Sequence, residues 1–521
     1  MRLGIALPVV SLSLAQQTAR YRSRVFDAVV TAGAGATLLV TLGGFSLGFL
    51  AWYAAATRSA TLRNLGDGLF FVTVPIGLAI AFAGWIAYSD YFARRAGVAR
   101  TTALRYDAWS WAALVVSAFL IVAPLLPTAS IGRPLVAGVG LAALLKLMAA
   151  VRFNQTVRET AITFLVTRVP IIFTAELASV TIGQRPGEHF VASANPLLAV
   201  WGRWDAVHYL TIAARGYYGT DMAFFPLYPL LIRIVGTLMG NDLIAGLVIS
   251  NVALFFGLLF FYKLVEHQFD RSVALRAIFY ISIFPTAVFF SAVYTESLFF
   301  CLTVASFYYI KERKWITAGI LGALAALTRV EGVLLAVPYA MEAFGAFDWR
   351  HAINAPKRLW RVVLGFCLIP LGLVAYMATL WVLRGDPLYF SHVQAHWDRH
   401  LAPPWASVIR SVTMIVHSHG AQAAVGQALE LTFTILMLAV LIAGWRSLRP
   451  SFWVYMALSI VVPMSTASLM SMPRFALVLF PMFIVLALWG RRAWVNSTIV
   501  AFSLLLLGLY TVLYANWYWV A

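Results

Sequence analysis

The chain has 521 residues, 62% of them hydrophobic, with a mean hydropathy of +0.85 and a formal net charge of +18. Soluble globular chains sit nearer about 45–50% apolar, so a soluble domain is excluded. Apolar runs of about 18 or more residues recur along the whole length, which fits membrane-crossing helices and excludes a β-barrel, whose strands are short and alternate. The fold class is therefore an all-α polytopic membrane protein. In a soluble chain so basic a balance would suggest nucleic acid; here it reads as positive-inside topology, and no nucleic-acid partner is expected. Cys301 and Cys367 both fall in apolar spans, leaving no disulfide framework and no cysteine metal site.

At the N-terminus Arg2, the apolar run 3–14 and Ser13-Leu14-Ala15 resemble a cleaved signal peptide, but Pro8 interrupts the run. Arg20, Arg22 and Arg24 follow and favour retention on the inner side. Spans are expected at 26–56, 68–90, 108–126, 134–151 and 160–182. A polar-aromatic stretch occupies 183–240. Further spans follow at 241–262, 277–292, 297–310, 315–328, 331–347, 361–383, 420–443, 451–470, 475–490 and 494–517. The two at 297–310 and 315–328 are short for a bilayer. Residues 1–155 read as a separate four-helix bundle, and 156–521 as the domain that carries the chemistry.

Starting with the N-terminus inside, this layout puts 25 of the 38 basic residues in inner segments, provided that 222–240 does not cross the membrane. Asp205, His208, Glu296, Arg329, Glu331, His392, His396, Asp398, His400 and Arg474 then share the extracytoplasmic face.

The stretch Trp201-Gly202-Arg203-Trp204-Asp205-Ala206-Val207-His208-Tyr209 concentrates polar groups in a chain that is only 11% charged. A carboxylate at the apolar edge of a helix, held ionised by Arg203 or His208, suits a general base. His208 is three residues on and shares a helical face with Asp205. The alternative is an interfacial aromatic belt with a structural ion pair. Residues 204–218 read as one interfacial helix and 224–240 as a second. Glu296 in Tyr294-Thr295-Glu296-Ser297 is a helix cap, an ion-pair partner or a site residue. Arg329 in Thr328-Arg329-Val330-Glu331-Gly332 is suited to a phosphate, or pairs internally with Glu331. His392, His396 and His400 recur every four residues, forming one stripe if the segment is helical: a phosphate stripe, a metal site, or a plain polar face. Arg474 joins the same face. Arg168, beside Pro170 inside a span, is costly and needs a partner.

Trp204-Asp205-Ala206-Val207-His208-Tyr209 with Ile212-Ala213-Ala214-Arg215-Gly216-Tyr217, then Phe224-Phe225-Pro226-Leu227-Tyr228-Pro229, then Tyr294–Leu298, Thr328–Gly332 and Met472-Pro473-Arg474-Phe475, resembles the PIG-V-like family. These are relatives of GPI mannosyltransferase II within the GT-C glycosyltransferase superfamily. The resemblance runs from about 160 to 490, in the family's order. It implies a GT-C-like helical bundle with two interfacial helices in the first extracytoplasmic loop, and an acidic catalytic residue in that loop, which falls on Asp205. It implies a polyprenyl-phosphate-linked sugar donor, mannose by analogy, and transfer with inversion to a lipid or glycan acceptor at the bilayer. His208 joins Asp205 as a catalytic candidate. Arg203, Trp204, Glu296, Arg329, Glu331, His392, His396 and Arg474 are candidates for binding the donor phosphate and substrate. No cofactor is expected, a divalent metal being the disfavoured alternative. With no endoplasmic-reticulum retrieval signal in the sequence, a bacterial plasma membrane is the expected location. The competing reading is a transporter or lipid flippase, which would place paired ionisable groups near the midplane in broken helices.

Overall fold

The computed structural model describes residues 155–187, 189–346, 356–417 and 420–520. The N-terminal bundle expected over 1–155, with its spans, lies outside the described residues. Among the described residues the regular structure is entirely helical.

In chain order the helices are α1 (Gln155–Thr181), α2 (Asp205–Arg215), α3 (Leu227–Met239), α4 (Asp242–Gln268), α5 (Arg271–Ser282), α6 (Glu296–Lys311), α7 (Trp315–Ala326), α8 (Ala336–Ala346), α9 (Pro356–Arg384), α10 (Pro404–His417), α11 (Ala421–Gly444), α12 (Pro450–Met464), α13 (Met472–Val478), α14 (Phe480–Trp489) and α15 (Ala493–Tyr514). Five of these, α1, α4, α9, α11 and α15, contain a stretch long and apolar enough to cross a bilayer. The pair α13 and α14, bent by 76° at Leu479, makes a sixth if it is counted as one span.

Of the eleven spans expected within the described residues, five fall on those helices and 475–490 on the bent pair; at 277–292, 297–310, 315–328, 331–347 and 451–470 the helices are too short for a bilayer or are broken. The run 277–292 is not one span: α5 stops at Ser282, and a 3-10 turn at Ala287–Phe290 precedes α6. Arg168 explains how that break is tolerated. Its buried guanidinium donates to the Ser282 carbonyl, to the Ala287 carbonyl at 2.8 Å and to Ser291 Oγ at 3.4 Å. Carbonyls freed at a helix C-terminus carry partial negative charge and accept a cation well. No carboxylate pairs with Arg168 among the described residues. The intramembrane charge that needed a partner thus seals a helix end.

Helices α7 and α9 meet along a seam of small residues. Gly319 lies so close to Gly365, and Gly372 to the Ala323 carbonyl, that neither has room for a Cβ. Such close backbone approach is how helices associate when lipid offers no hydrophobic drive.

The interfacial helices come close to their expected bounds. Asp205 occupies the first position of α2, where a carboxylate suits the positive end of the helix dipole. Gly216, at φ +84°, ends it. Helix α3 doubles back along the first turns of α4: the Tyr228 hydroxyl meets Ser250 Oγ at 2.7 Å and the Gly246 carbonyl at 3.1 Å, and Gly236 packs on Asp242. Segment 222–240 therefore runs beside the start of α4 and is no span of its own.

Helix α6 serves as a ruler. Glu296 opens it and Lys311 closes it. Sixteen residues at about 1.5 Å each separate those ends by about 24 Å. Around the Lys311 end are Arg313, Lys314 and the Lys311–Glu342 ion pair. Basic residues also stand at the joints before α5, α12 and α15: Arg271 with Glu159, Arg446 and Arg449, and Arg491 with Asp270. Replacing Arg168 with Met should leave the Ser282 and Ala287 carbonyls buried without a donor, costing about 1–3 kcal/mol for each. A lowered unfolding temperature of the detergent-purified protein would show it; unchanged unfolding would deny Arg168 this role.

Candidate active site

Five ionised side chains form one network at the end of α6 opposite Lys311. Arg474, in the first turn of α13, donates from Nη1 to Asp205 Oδ2 at 2.6 Å. Its Nε and Nη2 both reach Glu296 Oε1, at 2.9 and 2.8 Å. Arg329 donates to the same Glu296 oxygen at 3.1 Å and lies 3.5 Å from Glu331 Oε2. Glu296 is wholly buried, whereas 23% of the Asp205 side chain is exposed. Aromatic rings enclose both cations: Arg474 lies over Tyr294 and Phe289, Arg329 over Phe475 and Phe299. Two cations and three anions leave the network with a formal charge of −1. The Asp205 oxygen not bound by Arg474, Oδ1, accepts no hydrogen bond from the described residues.

The backbone around Asp205 is fixed by strain held in place. Trp204 adopts φ +57°, a conformation costly for a bulky residue. The Tyr294 hydroxyl spans the distortion, accepting from the Asp205 amide at 3.2 Å and donating to the Arg203 carbonyl at 3.1 Å. The Trp204 ring packs against Trp517 and Trp519. This turn sends the side chains of Arg203 and Asp205 apart. Arg203 is buried, donates to the Ala515 carbonyl and lies over Trp517, so the guanidinium paired with Asp205 is Arg474, not Arg203.

Helix α13 is held by Glu430, the one charged residue in the apolar run of α11. Its two oxygens accept the Ser471 and Met472 amides at 3.1 and 2.9 Å, satisfying donors at the helix start. The placement of Arg474 thus depends on a carboxylate on another helix that belongs to none of the motifs.

His208 stacks on Phe224 at 4.4 Å between ring centres, and its Nδ1 pairs with Asp221 Oδ1 at 2.7 Å. Trp397 stands edge-on to both rings. The histidine stripe does not form. A single helical turn ends at His392, a 3-10 turn covers Val393–Trp397, and Asp398 turns left-handed at φ +57°. His392 is exposed and pairs with Asp386, and His396 packs beside Trp397. Of the residues proposed from sequence, Asp205, Glu296, Arg329, Glu331 and Arg474 come together. His208 lies one turn along α2, while Arg203, His392 and His396 make their contacts elsewhere.

Asp221, Trp397, Arg399 and Glu430 were not singled out by motif. A lone carboxylate in an apolar run is itself a signal, and it could have found Glu430. Asp221 and Arg399 carry no comparable mark. Among the described residues no group of three or more His, Cys, Asp or Glu is placed to hold a metal ion.

Helices of bilayer length with an ion-pair network at one end and basic residues at the other define an integral membrane protein with a polar site near one surface. Residues 151–380 match the family described as mannosyltransferase (PIG-V), the family that the motifs resemble. It is 30% identical over 249 residues to the GPI alpha-1,6-mannosyltransferase 2 of Cricetulus griseus, covering 40% of this chain and 48% of that one. It is 27% identical over 165 residues to the GPI mannosyltransferase 2 of Cryptococcus neoformans, covering 29% of this chain and 38% of that one. The chain thus spans less than half the length of these relatives. Among solved structures it is similar to the oligosaccharyltransferase of Archaeoglobus fulgidus, with a TM-score of 0.33 and 15% identity over 66% of this chain and 52% of that one.

Exchanging Glu296 for Gln should leave two buried guanidiniums short of a counter-charge. Breaking a buried pair from one side costs about 3–5 kcal/mol. Unfolding in detergent would register that loss; wild-type stability would mean that the network contributes little to the fold.

Proposed function

We propose that the protein is a membrane glycosyltransferase that moves a mannosyl group from a polyprenyl-phosphate-linked donor to a hydroxyl of a lipid or glycan acceptor, with inversion. The observation that carries this reading is the state of Asp205: one oxygen fixed by Arg474, the other without a hydrogen bond among the described residues, on a partly exposed side chain at the head of an interfacial helix. The PIG-V match over 151–380 supports the sugar by analogy, and the donor class rests on the resemblance of the motifs.

In this mechanism the acceptor oxygen attacks the anomeric carbon from the face opposite the lipid phosphate. The new carbon–oxygen bond forms as the bond to the phosphate oxygen breaks, and that oxygen keeps the electron pair. The acceptor's proton passes to Asp205 Oδ1. Because the five-group network carries one excess negative charge, a proton arriving at its most exposed member neutralises it. His208, oriented by Asp221 and one turn from Asp205, is placed to hydrogen-bond a substrate hydroxyl through Nε2.

The face is also part of the proposal. The network lies about 24 Å of helix from the Lys311 end, where basic residues gather. Basic ends face the cytoplasm, so Asp205 belongs on the extracytoplasmic side, in a plasma membrane if the source is bacterial. We include no metal in the reaction: both carboxylates nearest the reacting position already share the Arg474 guanidinium.

Asp205→Asn keeps the hydrogen bond to Arg474 but removes the base. Transfer from polyprenyl-phosphate-mannose to a lipid extract should fall about 10²–10⁴-fold, with folding intact. Turnover near the wild-type rate would remove Asp205 from the role. Chelation with EDTA should leave the wild-type rate unchanged; loss of activity restored by manganese would require a metal step.

A further inference from the structure

We propose that Arg399 is the residue that grips the donor's phosphate, an inference that rests on the lipid-phosphate donor proposed above. Three guanidiniums flank the α13 terminus. Arg474 and Arg329 are committed to Asp205, Glu296 and Glu331. Arg399 pairs with no carboxylate among the described residues. Its Nη2 donates to the Met470 carbonyl at 2.6 Å, its Nε is buried with no acceptor, and Nη1 donates to nothing.

Such a cation is normally expensive to keep, and this one is held in place. The Asp398 backbone is left-handed, and its carboxylate pairs with Arg410. The His400 amide donates to the Thr466 carbonyl at 3.2 Å and the Ala402 amide to the Ser465 carbonyl at 3.0 Å. The segment 398–402 is thereby laid along 465–470, the stretch that leads into α13. Two residues before Arg399, Trp397 stands against His208. The segment 397–399 therefore links the base-bearing helix α2, through Trp397, to the stretch leading into α13, through Arg399. Burial, with the Arg474 cation nearby, pushes the Arg399 pKa below the usual range for arginine.

An anion beside Arg399 would supply the missing acceptor and offset the repulsion from the Arg474 cation. Phosphate suits a planar fork better than a carboxylate-saturated arginine could manage. The donor phosphodiester carries one negative charge. When the anomeric bond breaks, the leaving monoester gains a second, which an open guanidinium stabilises more strongly than it stabilised the substrate.

The test is equilibrium binding of decaprenyl monophosphate, with decaprenol as the uncharged control, to the full-length protein in detergent. Wild-type protein should prefer the monophosphate. Arg399→Ala should lose about tenfold or more of that preference, with part regained on adding guanidinium ion. Arg399→Gln, which keeps length and polarity, should behave likewise if the alanine variant folds poorly. Wild-type preference in the folded Arg399 variants would overturn the assignment while leaving the donor class standing. A wild-type protein that binds the monophosphate no better than decaprenol would remove both.

Discussion

The site depends on a single guanidinium shared between two carboxylates of unequal burial. Arg474 ties Glu296, which is out of water entirely, to Asp205, which is not. Burying three charges together is favourable only when their geometry is tight and their remaining groups are satisfied. Here the geometry is set from outside the network. Tyr294 fixes the backbone at Asp205, and Glu430 fixes the start of the helix that carries Arg474. The network is thus a clamp between α2, α6 and α13. It joins the interfacial loop to the bundle by charge, where greasy packing would hold but would not set the register.

The irregular segments share a pattern. The chain breaks helix at 283–295, at 327–335, at 465–471 and at Leu479. The first three lie close to the network, and the fourth just past the helix that carries Arg474. Backbone freed by such breaks needs new partners in a membrane protein. Arg168 supplies donors to the first break and Glu430 supplies acceptors to the third. Both are ionisable groups within apolar helices, and both bind mainly backbone. Intramembrane charges of this kind are usually read as transport or proton paths. In this chain they are structural staples that let non-helical backbone approach the site.

The sequence made the helical spans readable because each is a contiguous apolar run with a polar or aromatic boundary. The interfacial helices were readable for a second reason: Gly216 and Gly240 stop them, and Asp205 and Asn241 start the helices that follow the boundaries. Pairings across helices were not readable. Nothing near Asp205 marks Arg474 as its partner 269 residues away, and Arg203, two residues off, is the natural choice. The positive φ at Trp204 overturns that choice by turning the two side chains to opposite sides. The histidine stripe failed for a related reason. Four-residue spacing implies one face only while the helix continues, and this one yields to a 3-10 turn within a turn of His392.

An inverting transfer from a lipid phosphate makes two opposed electrostatic demands. The base must take up a proton, which calls for surplus negative charge around it. The leaving group gains negative charge, which calls for an open cation. If one cluster served both, each demand would cancel the other. The structure separates them along a few residues of backbone. Asp205, Glu296 and Glu331 outnumber Arg329 and Arg474 on one side. On the other side Arg399 is fixed through Met470 and has no counter-carboxylate among the described residues. Helix α13 joins the two, with Arg474 facing the acidic side and the Met470 carbonyl holding the basic one. In the proposed reaction such a link would keep base and leaving-group cation apart as charge redistributes, and the cap that Glu430 places on the start of α13 holds it in position.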